Sequence, residues 1–121
     1  MMLIKDFYTI QQIEEVHQKL EATLILNADH QVYQGHFPEQ PVVPGVIQLQ
    51  IVKELLEKHL DKKLTINSMS QAKFLSLILP HSGPLQFSIT FNFTDDQFLK
   101  ADATIETPNG VATKAKIIFH F

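Results

Sequence analysis

His36 and Gly45 are the residues whose types and spacing invite chemistry, and both lie in the stretch GHFPEQPVVPGVIQLQ, residues 35–50, whose apolar end also carries two amides, Gln48 and Gln50. An imidazole with an intrinsic pKa near ~6.5 can take a proton from carbon and hand it to oxygen at neutral pH. Beyond it, Pro44 and Gly45 precede an apolar run. A helix opening there would present N–H groups without intrahelical acceptors at the positive end of its dipole. Gly45 has no side chain to block approach, so such a terminus could bind a carbonyl oxygen and stabilise an enolate formed beside it. Pro38, Pro41 and Pro44 fix φ and bias the residues before them toward extended backbone, which stiffens the loop that carries the imidazole. The same residues have a plainer reading, a solvated or satisfied histidine ahead of a Pro-marked helix start. Of the remaining histidines, His17, His59 and His120 fall in surface or terminal positions, His30 in a turn and His81 beside Pro-Ser-Gly. None has metal-ligand spacing with a carboxylate, and neither a phosphate-binding Gly-rich loop nor a G-x-S-x-G elbow occurs. No metal and no cofactor is expected.

The elements that must position these residues can be read from periodicity. From Gly45 to Leu60, Val46, Ile47, Leu49, Ile51, Val52, Leu55, Leu56 and Leu60 cover much of a helical circumference, which predicts a helix buried on most sides in its first half. Its second half, KELLEKHLDKK, is expected to emerge into solvent, with Lys53 and Glu57 spaced for a weak surface pair. After Lys63 the stretches LTINSMSQAKFLSLIL, LQFSITFNF, QFLKADATIE and VATKAKIIFHF read as strands. Turn residues separate them at 80–84, 94–97 and 108–110, the last containing Asn-Gly, the strongest short-range hairpin signal. These strands predict an antiparallel meander. The N-terminal part is ambiguous: Ile10, Ile13, Val16 and Leu20 suit a helix, whereas DFYTIQQIEE and KLEATLILNA suit two strands joined through residues 16–18. The sum is an α+β domain spanning residues 1–121, a curved antiparallel sheet wrapped around one long central helix.

Composition narrows the function classes. The 121-residue chain has no cysteine, which removes disulfides, thiolate nucleophiles and Cys-based metal sites. Every basic residue is a lysine and the net charge is −3, so no bulk attraction for nucleic acid is expected. With neither a leader-like N-terminus nor an apolar run of membrane-spanning length, the expectation is a cytoplasmic protein without a membrane partner.

The stretch GHFPEQPVVPGV closely resembles the active-site motif of hot-dog-fold 3-hydroxyacyl-[acyl-carrier-protein] dehydratases, and KFLSLILPHSG, residues 73–83, resembles more weakly a strand and turn of that family. The resemblance covers roughly Lys19 to the C-terminus. It implies strands at the N-terminus, with part of the family's usual N-terminal extension expected to be absent. It further implies that His36 is the acid-base group and that the Gly45 N–H binds the thioester carbonyl. The family places a carboxylate fourteen positions beyond the histidine, on the central helix of the neighbouring subunit, and here that position is Gln50, with no Asp or Glu between Glu39 and Glu54. An amide can orient a hydroxyl or water but has no proton to give near neutral pH. The expected activity is dehydration of 3-hydroxyacyl thioesters on acyl carrier protein to trans-2-enoyl thioesters, in fatty-acid or polyene-type biosynthesis. Phe37, Pro44 and Val46 would line the mouth of an acyl tunnel. Two subunits would share the site as a homodimer or a heteromer, and Lys53, Lys58, Lys62, Lys63 and Lys73 are candidate contacts for the acidic carrier. Two rivals remain: a weakly catalytic or non-catalytic subunit that binds acyl chains or pairs with an active dehydratase, and an acyl thioesterase.

Overall fold

The computed structural model describes residues 6–35, 41–94 and 97–121. His36, Phe37 and Pro38 lie outside the described residues. Strands β1 (Tyr8–Val16) and β2 (Lys19–Leu26) precede a short helix α1 (Val32–Gly35) and the long helix α2 (Gly45–Leu60). Strands β3 (Thr65–Phe74), β4 (Leu85–Phe93), β5 (Phe98–Thr107) and β6 (Gly110–His120) follow. All six strands join in one antiparallel sheet of order β1-β2-β4-β5-β6-β3. Strand-period alternation sends Leu20, Ala22 and Leu24 of β2, Phe87, Ile89 and Phe91 of β4, Leu99, Ala101, Ala103 and Ile105 of β5, and Ile117 and Phe119 of β6 to one buried face. That face packs with Ile51, Val52, Leu55 and Leu56 of α2 in a single core. Large and small residues alternate across it: Phe87 stands opposite Ala22, and Phe91 opposite Ala101. The sheet curves around one long helix, the expected hot-dog arrangement.

The N-terminal ambiguity resolves in favour of strands. His17 and Gln18, with φ of 50° and 62°, make the two-residue turn between β1 and β2, the positive-φ geometry whose twist matches that of paired strands. The predicted meander holds only for β4, β5 and β6. β3 instead crosses to the far edge and pairs with β6, because β2 already occupies the free side of β4. β3 also stops at Phe74, short of the predicted run through residue 79. There the N–H groups of Leu75 and Ser76 both donate to the Ala112 carbonyl, at 2.7 and 3.2 Å. Ala112 is the extra residue of a bulge in β6, since Ile105 faces Thr113 while Glu106 faces Val111. The hairpin at 108–110 is centred on Pro108 and Asn109, with Thr107 paired to Gly110. Only Gly110 takes positive φ (121°), because the proline ring forbids it at the first turn position and Asn109 remains at negative φ.

Helix α2 has the predicted bounds, but its most buried part is the middle, Ile51 to Leu56, rather than the first half. Val46 in the first turn is 74% exposed. The helix stops at Asp61, which is left-handed (φ 53°, ψ 46°) and returns its N–H to the Glu57 carbonyl. Glu57 does not pair with Lys53 as its spacing suggested. Its carboxylate accepts the Leu64 N–H at 2.8 Å and so fixes the exit from the helix into β3. Among the described residues, no helix is long and apolar enough to cross a membrane.

Candidate active site at the start and middle of the central helix

The chain enters the His36 segment from a fixed point. Tyr33, the only described buried residue of α1, lies beside the Phe7 ring with centroids 5.6 Å apart, and burial pushes its hydroxyl up to about 12. On the far side of the segment, the Val43 N–H donates to the Ile78 carbonyl at 2.8 Å, and Ile78 is fully buried. Both described flanks of the His36 segment are thereby tied to the core.

Pro44 has extended dihedrals (φ −60°, ψ 148°), and its carbonyl accepts the N–H groups of Ile47 and Gln48, both at 3.1 Å. The N–H groups of Gly45 and Val46 precede the first intrahelical bond. No side chain caps this end, and no acidic residue stands in the first turn. The positive end of the dipole is therefore not offset by the helix itself. Gly45 differs in one respect from the sequence-based expectation. The space a side chain would take is filled rather than open: an added Cβ would stand 2.6 Å from the Phe74 Cζ. The residue is glycine here because Phe74, at the end of β3, lies against the helix start. Gly45→Ala is expected to cost about 1 kcal/mol in chemical unfolding, as a modest overpacking of a half-exposed ring. In a cycle with Phe74→Ala, the two changes should couple by at least about 0.5 kcal/mol. Strictly additive effects would show that the ring does not set the requirement for glycine.

Gln48 and Gln50 have separate roles. Gln48 is 4% exposed; its amide donates to the Val43 carbonyl at 3.0 Å and its oxygen accepts the Thr113 hydroxyl at 2.5 Å. It links β6 to the backbone leading into α2. Gln50 is half-buried, and its Nε2 donates to a Glu54 carboxylate oxygen at 3.1 Å. The other Glu54 oxygen accepts the Tyr8 hydroxyl at 3.0 Å. Glu54 is only 3% exposed, and burial followed by the charge of this carboxylate raises the Tyr8 hydroxyl well above its ordinary value. Reading by sequence position, which looked for the acid at residue 50 and found none between Glu39 and Glu54, passed over this group. The available signal was the spacing: Glu54 is one helical turn from Gln50 and interrupts the apolar run of Ile51, Val52, Leu55 and Leu56.

Of the candidate carrier-binding lysines, Lys58, Lys62 and Lys63 come together around a groove of about 500 Å³ that Tyr8, Glu54, Glu57 and Asp61 also line. Lys62 lies 4.9 Å from the centre of the Phe121 ring. Lys53 and Lys73 lie outside this groove. Among the described residues no group of His, Cys, Asp or Glu is arranged to hold a metal ion.

The comparisons with known proteins agree with this architecture. The chain is 24% identical over 131 residues to the 3-hydroxyacyl-[acyl-carrier-protein] dehydratase FabZ of Lactobacillus helveticus, a match covering 98% of this chain and 88% of that protein. It is 28% identical over 80 residues to the FabZ of Clostridium acetobutylicum, covering 59% of this chain but only 57% of that protein's length. Among solved structures, a chain of the dehydratase heterocomplex ApeI:P from Xenorhabdus doucetiae superposes with a TM-score of 0.76 at 23% identity, covering 93% of this chain and 97% of that one. The (R)-hydratase from A. caviae involved in PHA biosynthesis superposes with a TM-score of 0.67 at 15% identity, covering 89% and 97%. At such identities the two structures speak for the fold. The family profile described as ApeI-like, ApeI dehydratase, matches residues 12–105, which runs from β1 through α2 and into β5. With the hot-dog sheet, the long central helix and most of the chain inside that match, the protein belongs to the ApeI-like dehydratase family.

Proposed function

We propose that the protein dehydrates 3-hydroxyacyl thioesters carried on acyl carrier protein to trans-2-enoyl thioesters. The observation that carries this reading is the uncapped start of α2, where the Gly45 N–H is free of any intrahelical acceptor directly after the Pro-rich loop that bears His36. In the proposed reaction the thioester carbonyl accepts a hydrogen bond from the Gly45 N–H, so charge developing on that oxygen meets the positive end of the helix. His36 takes the α-proton. The same imidazolium returns the proton to the β-oxygen as the C–O bond breaks, and water leaves. Gln50 orients the departing hydroxyl without supplying a proton. Pro44, Val46 and Phe37 form the mouth of the acyl site.

The reading includes a second hot-dog subunit. β3 is an edge strand exposed along both faces, and Ile66, Met69, Phe74, Leu75, Leu77 and Leu79 in and after it are exposed apolar residues. An edge of this kind is suited to pairing with another chain. The alternative is a heteromeric arrangement in which an active dehydratase completes the pair; the amide at Gln50 and the likeness to a chain of a dehydratase heterocomplex speak for it. Purified alone and given a 3-hydroxyacyl thioester on acyl carrier protein, the protein is expected to produce enoyl thioester absorbance with no release of free thiol. Turnover that appears only after a carboxylate-bearing hot-dog subunit is added would move the assignment to the heteromer. Thiol release without enoyl formation would replace it with a thioesterase.

A further inference from the structure

Glu54 is a buried carboxylate that the proposed chemistry does not use. Taking a carboxylate from water is costly unless its oxygens are satisfied, and both are: one by the Tyr8 hydroxyl and the other by the Gln50 amide. An apolar residue at position 54 would continue the run of Ile51, Val52, Leu55 and Leu56 without that cost. The arrangement has a directional consequence for Gln50. A carboxylate oxygen accepts, so the carboxamide must turn its NH2 along the helix toward Glu54, and its Oε1 is then the end directed away from that pair.

We propose that Glu54 is a positioning residue that fixes the polarity of the Gln50 carboxamide, so that its carbonyl oxygen, and not its NH2, meets the 3-hydroxyl of the substrate. This rests on the dehydratase reading and deepens it. With Oε1 facing the substrate, the hydroxyl donates its hydrogen to Gln50 and keeps its lone pairs for the proton arriving from His36. A reversed amide would donate to those lone pairs and compete with that proton. The hydroxyl carries the same atoms in either arrangement, and only the second obstructs its protonation.

Glu54→Gln tests this because two facing amides can satisfy each other with Gln50 reversed. The expected result is a fall in kcat of about tenfold to a hundredfold with little change in KM, the scale on which misplacing a reacting group acts. The double variant Gln50→Glu/Glu54→Gln places a carboxylate at position 50 and an amide NH2 at position 54, and should recover the lost kcat. In the ¹⁵N-labelled protein, the Gln50 Nε2 protons should show the low-field shift of a carboxylate-bound amide and lose it in Glu54→Gln. If Glu54→Gln does not fold, Glu54→Asp, which draws the charge back by one methylene, is expected to shift kcat and the amide resonance in the same direction. An active parent whose kcat or Gln50 resonance is indifferent to these changes would overturn the positioning role alone. A parent silent toward the thioester, alone and with a second subunit, would overturn the dehydratase reading and the role with it.

Discussion

His36→Ala is expected to lower enoyl thioester formation by about 10²- to 10⁴-fold, the range usually supplied by one acid-base group. No other group proposed for the site can replace it. Gln50 carries no exchangeable acid proton near neutrality. Glu54 has both oxygens engaged and sits behind Gln50 in the helix. Gly45 contributes only an N–H, so the variant should still bind the thioester carbonyl, and the loss should fall in kcat rather than in KM. Because the imidazole must be neutral to take the α-proton, kcat/KM of the parent should decline as the pH falls through the range where histidine protonates. Steady-state rates across pH, with far-UV circular dichroism to establish that the variant is folded, make the measurement. A variant that keeps parental turnover would remove His36 from the mechanism.

The largest expected effect on stability comes from Gln48→Ala, which should lose about 3 kcal/mol. Two contributions combine. Truncating a buried side chain leaves a cavity in a packed interior. It also strands the Val43 carbonyl and the Thr113 hydroxyl, which the amide satisfies at 3.0 and 2.5 Å. Gln48→Met separates them, because it nearly conserves volume and removes only the hydrogen bonds; it should lose roughly 2 kcal/mol. Val43 is one residue from the N-cap Pro44, so the Gly45 N–H should be held less firmly and kcat should fall along with stability. Urea unfolding and initial rates on the same samples would show this. A Gln48→Met protein as stable as the parent would mean the amide fills space only.

How legible this was in the sequence depended on whether local chemistry or tertiary context decided each element. Helix α2 was readable to the residue because Pro44, Gly45 and a sustained apolar period all act locally. The β1–β2 hairpin was not, since His17 and Gln18 take positive φ without the Asn-Gly chemistry that announces such a turn, and the apolar spacing of β1 also suits a helix. The placement of β3 beside β6 was hidden because strand order follows from which edges are free, not from the strand's own residues. At the site, local chemistry led to the Gly45 helix start, and the resemblance singled out the amide at Gln50. Phe74 filling the space beside Gly45, and Glu54 holding Gln50, came from packing between segments distant in sequence or one turn apart in space. A search by motif position tests only one residue at a time.

The crossing of β3 to the far edge of the sheet also bears on the order of folding. Thr65 finds its partner at His120 and Phe74 finds Thr113, so β3 cannot pair until β6 exists. The β4–β5–β6 hairpins, by contrast, close over short turns. Contacts of high sequence separation are entropically late, so β3 joins after these hairpins, and β2, whose pairing with β4 (Lys19 to Thr90, Leu24 to Leu85) spans still more chain, joins later again, which makes the sheet a slow one to complete. During synthesis, the segment that carries Phe74 to the mouth of the site therefore waits for residues 110–120. The helix start gains its aromatic neighbour only once β6 has been made.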